Sequence, residues 1–282
     1  EPKTQADLDK LGESLDRLAH EDPTFKVTVD ADTGQTLIAG MGELHLEIIT
    51  TRMGRDHGIE VKVGAPRVAY RQTLASEKDI EGKQIKQSGG SGQYAVVNIR
   101  FSPLPLDAEE PYEFVDSTKG GVVPDTYIPA VRKGVQESMN AGGKLGWPFV
   151  GIQAELHYGK HHDVDSSELA FQLAAERAFR EAADGNFKLL EPVMRLNVQV
   201  PEEYIGDVIG DLNTRRVSIK EITMDGPLRE IDGQVPIAEM FKYAGTLRGL
   251  TQGRGNFSME PNGYQVVPVA VQENLVRDRM GD

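Results

Sequence analysis

The chain has 282 residues, 39% of them hydrophobic, enough for two or three domains that each bury a core. It contains no cysteine, which excludes disulfides and thiolate metal sites, and it shows no signal peptide and no apolar run of membrane-spanning length. Net charge is −13, with 7 basic and 13 acidic side chains in residues 1–64, 14 and 17 in residues 65–188, and 10 and 14 in residues 189–282, so general attraction to phosphate is excluded as a driving force for nucleic-acid binding.

Glu1-Pro2-Lys3-Thr4 is not an initiator sequence, and the chain reads as a piece of a larger protein. Residues 4–20 place Ala6, Leu8, Leu11, Leu15 and Leu18 at three- and four-residue spacing, which predicts an amphipathic helix with Thr4 as N-cap and Asp7 completing a weak capping box. Strands follow at 25–29 and 35–39 around the turn Asp30-Ala31-Asp32-Thr33-Gly34. A helix over about 43–56 carries Leu44, Ile48 and Met53, and a strand over 59–63 closes the unit. The order α-β-β-α-β lacks one strand of a ferredoxin-like βαββαβ unit, and that strand is expected before Glu1. His45 reads as a helix-surface histidine, because no second ligand stands at metal spacing.

Gly64-Ala65-Pro66 marks a boundary. Strands are predicted at 68–74, 79–86, 94–101 and 112–117. A helix over 129–141, with Val131, Val135 and Met139 on one face, is ended by Gly142-Gly143. A strand over 149–157 and a helix over 166–184, capped by Ser166 or Ser167 with Leu169, Leu173, Ala174, Ala178 and Ala182 inward, complete an α+β block. From Glu191-Pro192 the pattern is again β-α-β-β-α-β: strand 193–200, a helix opening at Pro201-Glu202-Glu203, strands 217–224 and 228–235, a helix over 236–248 and a short strand at 255–259. A charged helix over 269–280 ends the chain.

Four stretches carry the chemistry. Ser88-Gly89-Gly90-Ser91-Gly92, followed by Gln93, is a glycine-rich hairpin tip whose small side chains leave backbone N–H groups open to phosphate. It is not a phosphate loop of a nucleotide-binding protein, because no Gly-Lys-Ser/Thr follows. Lys160, His161 and His162 offer donors for phosphate or ribose hydroxyls. His157, His161, His162, Asp163 and Asp165 crowd nine residues with metal-ligand side chains, so a metal-dependent enzyme is the rival from another class, although no HExxH or distant ligand cluster accompanies them. Arg215-Arg216 follows a helix, and Arg254 lies exposed between glycines in Gln252-Gly253-Arg254-Gly255.

These stretches, with Gly40-Met41-Gly42-Glu43-Leu44-His45-Leu46-Glu47, Gly120-Gly121-Val122-Val123-Pro124, Tyr127-Ile128-Pro129-Ala130-Val131 and Gly206-Asp207-Val208-Ile209-Gly210-Asp211-Leu212-Asn213, resemble elongation factor G, a translational GTPase, in that family's order and over nearly the whole chain. The resemblance implies a multidomain α+β protein: residues 1–64 as domain III, residues 65–188 with 266–282 as domain IV, and residues 189–265 as domain V. Two ferredoxin-like βαββαβ units would then flank an α+β domain with a left-handed βαβ crossover. It implies that Ser88, Gly89, Gly90, Ser91, Gly92, Gln93, Lys160, His161 and His162 form the domain IV tip, which approaches transfer RNA and messenger RNA in the decoding site, His162 acting by position rather than proton transfer. Arg215, Arg216 and Arg254 become candidates for ribosomal RNA contact.

The same resemblance implies a cytoplasmic monomer that works on the ribosome with no membrane partner. The chain itself would hold no catalytic centre, no metal and no cofactor, with GTP and Mg2+ bound by an upstream domain. Promotion of translocation is the expected function; a recycling or ribosome-protecting paralogue is the alternative within the family. Ser91 stands where the family usually has arginine, and Asp125 where a basic residue is common, which favours that alternative.

Overall fold

The computed structural model describes residues 1–2, 7–31, 33–41, 43–86 and 92–281. These form two compact units, Glu1–Ala69 and Tyr70–Asp282. Among the described residues, no helix is long and apolar enough to cross a membrane.

The first unit comprises α1 (Leu8–Glu21), the antiparallel pair β1 (Lys26–Val29) and β2 (Thr36–Ala39), and α2 (Glu43–His57). Its core joins Leu11, Leu15 and Leu18 of α1 to Ile49 and Met53 of α2, with Phe25 and Ile59. Two predicted core positions are exposed instead: Leu8, in the first turn of α1, and Ile48. Ile48 sits about 100° around the helix from Ile49, which takes the inward place one turn from Met53. The proposed Thr4 cap lies outside the described residues. The strand expected over 59–63 is reduced to one bridge, Val61 to Pro2, flanked by hydrogen bonds between Glu1 and Lys62. His45 ties the start of α2 to the α1–β1 turn: Nε2 lies 2.8 Å from the Asp22 carboxylate and Nδ1 accepts the Met41 N–H.

In the second unit, β4 (Lys78–Lys86), β5 (Gln93–Pro103), β6 (Tyr112–Asp116) and β7 (Ile152–Lys160) form a sheet in the order β4-β5-β7-β6. All neighbours are antiparallel except β6 and β7, which run parallel and are linked through α3 (Ile128–Ala141). Gly142, with φ +69°, closes α3 as the sequence predicts. Together α3 and α4 (Glu168–Ala183) cover one face of the sheet, burying Val97, Ile99, Phe101, Ala154 and Leu156. α4 lies so close to β4 that a Cβ on Gly82 would come within 2.1 Å of the Ala174 carbonyl oxygen. Strand β7 is displaced by three residues from the predicted 149–157. Phe149 is held in the preceding loop by a hydrogen bond to Met139, and Gly151 turns there with φ +66°. The strand consequently runs on through Tyr158 to Lys160.

The second sheet takes β3 (Arg71–Leu74), β8 (Phe187–Pro201), β9 (Ser218–Asp225), β10 (Leu228–Pro236) and β11 (Asn256–Val266), with order β11-β8-β10-β9 and β3 also on β8. Fourth-first-third-second is the ferredoxin-like order of a βαββαβ unit whose helices are α5 (Ile205–Thr214) and α6 (Tyr243–Leu250). Strand β8 is far longer than the predicted 193–200. Its first residues pair with β3 and its remainder with β10, while β11 follows it from Leu190 to Gln199. The helix predicted over 236–248 is broken: a single 3-10 turn at Ile237–Glu239 is followed by Lys242 at φ +66° before α6 begins. α7 (Val269–Met280) brings Val271, Leu275 and Val276 against a cluster of Leu145, Leu189 and Val267, and Arg279 lies over the Trp147 ring.

Candidate functional site

The end of β5 and the loop between β7 and α4 are fastened together by one serine. The Ser166 hydroxyl donates to the Tyr94 carbonyl at 2.7 Å and accepts the His162 backbone N–H at 2.9 Å. The Tyr94 N–H donates to the Asp165 carbonyl at 2.8 Å, so the strand end and the loop share a main-chain bond as well. Tyr127 backs the junction, donating its hydroxyl proton to the Ser166 carbonyl at 3.4 Å while its ring stacks on Phe171. The cap of α4 is a separate matter: the Ser167 hydroxyl accepts the Ala170 N–H. The tandem serines therefore divide two tasks, where the sequence alone suggests one cap.

Within the loop the two histidines are set in opposite tautomers by the backbone. His162 Nδ1 accepts the N–H groups of Val164 and Asp165, at 3.3 and 3.2 Å, so the neutral ring carries its proton on Nε2. His161 Nδ1 lies 3.2 Å from the Val122 carbonyl, which only accepts, so its proton is on Nδ1. The His162 ring stands 6.0 Å from that of Tyr94. Lys160 is exposed at the end of β7, in register with Val96. Gly92 enters β5 where a Cβ would meet the Asp165 carboxylate at 2.5 Å, so the absence of a side chain there lets the hairpin close on the loop. Gln93 accepts a hydrogen bond from the Gln84 side chain across the hairpin. Of the predicted tip, the structure thus gathers Gly92, Gln93, Lys160, His161 and His162 at one end of the sheet; Ser88, Gly89, Gly90 and Ser91 lie outside the described residues. Of the residues that hold this end together, Tyr94 and Ser166 are not singled out from sequence as site residues, and Asp165 is singled out only as a candidate metal ligand.

The histidine–aspartate cluster is dispersed. His157 Nε2 lies 2.8 Å from Asp79 on β4, His161 turns to Val122, and His162 turns back on its own loop. Among the described residues, no group of three or more metal-ligating side chains is placed to hold an ion. Gly92, the described end of the glycine-rich stretch, leads into strand β5.

The three arginines differ. Arg215 donates to the Asp211 carboxylate, the Glu239 carbonyl and the Thr246 hydroxyl. Arg216 grips the fully buried Glu191 with two parallel bonds of 2.7 and 3.0 Å and donates its Nε–H to Glu239. Those carboxylates hold the Arg216 guanidinium firmly in its charged form, its hydrogen bonding to Glu191 being the largest cause. Arg254 is half-exposed over the Tyr204 ring and donates to Glu203 and to the Tyr204 hydroxyl.

Three family models match the chain in sequence order: Elongation Factor G, domain III, over residues 1–65; Elongation factor G, domain IV, over residues 66–185; and Elongation factor G C-terminus over residues 188–275. Elongation factor G of Fervidobacterium nodosum is 49% identical over 278 residues, which is 98% of this chain and 40% of the relative. A crystal structure from Thermus thermophilus superposes with a TM-score of 0.86 at 39% identity, over 100% of this chain and 42% of that one. The chain therefore spans about two fifths of the length of each of these relatives. Three consecutive models of one family and a sequence relation of this strength lead to a single conclusion: the chain belongs to the elongation factor G family.

Proposed function

We propose that this chain is the ribosome-engaging part of a factor that promotes movement of transfer RNA and messenger RNA during protein synthesis. The observation that carries the reading is the fastening of the start of β5 to the loop between β7 and α4 by Ser166, which brings Gly92, Gln93, Lys160, His161 and His162 together at one end. Such an end suits a steric role: it enters the decoding site and blocks backward movement of transfer RNA. His162, with Nε2–H free of the bonds that hold Nδ1, supplies a fixed donor to phosphate or ribose. In this reading the residues 1–64 block relays the state of a GTPase domain outside this chain, where GTP and Mg2+ bind. The C-terminal sheet docks against ribosomal RNA through Arg254. Arg215 and Arg216 support that surface from within, because their donors are taken up by Asp211, Glu191 and Glu239. The partners are ribosomal RNA and proteins in the cytoplasm, and the factor acts as a monomer.

The test is ribosome binding by this chain across a salt series. Wild type is expected to bind, and His162→Ala and Gly90→Pro to weaken binding without loss of folded structure. Binding unaffected by either substitution would overturn the reading of the tip. A second reading, a recycling or protection paralogue, is favoured by the absence of tip charge at Ser91 and by Asp163, whose side chain is 95% exposed beside the histidines. It is separated from the first by assaying whether the full-length protein moves transfer RNA or splits post-termination ribosomes.

A further inference from the structure

Among the described residues, α3 and α4 cover one face of the four-stranded sheet, and on the other Val96 is buried beneath its strand neighbours. Val97, Ile99 and Phe101 of β5 point into the helix-covered core, so Tyr94, Val96, Asn98 and Arg100 lie on the other face. On β7, Leu156 is in the core, and a shift in register after Asn98 accommodates one extra residue, His157. That shift puts Tyr158 opposite Asn98 and Lys160 opposite Val96, on the open face, and Tyr158 is 43% exposed there. On β4, Lys83 is opposite Val96 and Ile85 opposite Tyr94. The tip end of this face is thus two aromatic rings on the two central strands, with a row Lys83–Val96–Lys160 between them. Lys83 is paired with Glu81 at 2.5 Å, and Glu81, opposite Asn98, shares the row of Tyr158, so Lys160 is the cation of this end that no carboxylate on the face takes up among the described residues. The opposite end of the face has a different character. There Arg100 is neutralised among Asp79, Glu155 and Glu77, and His157 is paired to Asp79.

We propose that the tip end of this open face is a stacking platform for the exposed bases of single-stranded RNA, with Tyr94 and Tyr158 each taking a base and Lys160 the phosphate between them. Every base has a π-face, so two rings flanked by a cation bind a single strand with little sequence preference, whereas a duplex hides its bases from them. Tyr94 and Tyr158 are four residues apart along the strands, about 13 Å, so the rings serve separate bases. The carboxylates at the far end repel phosphate and confine the strand to the tip. The platform is continuous with the loops fastened by Ser166, because Tyr94 belongs to both. The inference deepens the proposed function and rests on it only in taking RNA as the partner.

The test uses the whole chain, a fluorescein-labelled oligouridylate octamer at about 50 mM salt, and anisotropy as the readout. Tyr158→Ala is expected to weaken binding about tenfold and Tyr158→Phe to leave it within about twofold. Lys160→Gln should lower the slope of log affinity against log salt by about 0.7. Tyr158→Leu keeps an apolar side chain and removes the π-face, and should bind like Tyr158→Ala; wild-type affinity in Tyr158→Leu would overturn the platform, as would a wild-type protein that binds no octamer. Ribosome binding is measured in parallel. A tip sensitive to His162→Ala with octamer binding indifferent to Tyr158 leaves the ribosomal reading standing and the platform overturned. Octamer binding dependent on Tyr158 without ribosome binding gives the reverse.

Discussion

The hydroxyl of Ser166 bonds the carbonyl of Tyr94 at 2.7 Å, and this contact ties the loop between β7 and α4 to the start of β5. The same oxygen is the acceptor for the His162 N–H. In Ser166→Ala both bonds vanish, and each contributes about 1 kcal/mol. The His162 amide should then exchange with solvent roughly 5–30 times faster by nuclear magnetic resonance, while the melting temperature falls by only a few degrees. Unchanged His162 exchange would show that the loop is held by other means.

Gly92→Ala should disturb the same end by force of volume alone. Its new Cβ meets the Asp165 carboxylate at 2.5 Å, so the hairpin or the loop has to yield. Ribosome affinity is expected to drop with little change in global stability. Asp165→Ala added to Gly92→Ala removes the obstructing carboxylate, and the double variant should recover part of the loss. A strictly additive double variant would rule the clash out as the cause.

Glu191 is wholly buried, and its charge is balanced by the Arg216 fork with help from Gln265. Arg216→Ala strands that carboxylate and should cost about 3–5 kcal/mol in urea unfolding. Arg216→Lys keeps the charge but loses the planar fork, and should recover only part of it. A loss under about 1 kcal/mol for Arg216→Ala would show that water or another donor replaces the guanidinium.

Tyr243 is fully buried between Phe257 and the Arg215 guanidinium, and among the described residues its hydroxyl has no hydrogen-bond partner. Burial, reinforced by the charge of Asp211, pushes that hydroxyl up to about 12. Below the ordinary tyrosine value of about 10 both folded and unfolded chains keep the proton, and stability is unaffected by it. Above that, the unfolded chain ionises first. The folded state should lose up to about 1.4 kcal/mol per pH unit until the folded hydroxyl titrates as well. Tyr243→Phe removes this contribution, so the wild-type-minus-variant difference in unfolding free energy should be flat below about pH 10 and decline between about 10 and 12. At about pH 7 the variant should be at least as stable as wild type, because an unpartnered hydroxyl leaves the core.

The elements with strong periodicity are legible in the sequence. The Leu11-Leu15-Leu18 stripe, the alternation of Val97, Ile99 and Phe101, and the paired prolines and glycines at helix ends all lead to the observed elements. The errors share one cause: local pattern says nothing of partners. Leu189, Leu190 and Glu191 are all buried, on both faces of the strand, so this stretch has no clean alternation and the long β8 looks short. Lys242 in the left-handed region breaks a helix that composition would continue. At the tip, the sequence supplies the exposed donors but not their fastening. A hydroxyl that caps a helix and one that ties two loops are the same residue type, and only the fold separates Ser167 from Ser166.

Strand β8 passes through the point where the sequence places a boundary between two blocks. Leu190, next to that point, is paired with Arg71 on one side and with Val266 on the other. A break at Leu190 would have to open both ladders at once, while at Glu191 and Pro192 only β11 continues the pairing before β10 takes over at Val193. The segment that looks like a linker is thus a strand shared by its neighbours, and separating it from them would cost main-chain hydrogen bonds rather than the bending of a loop.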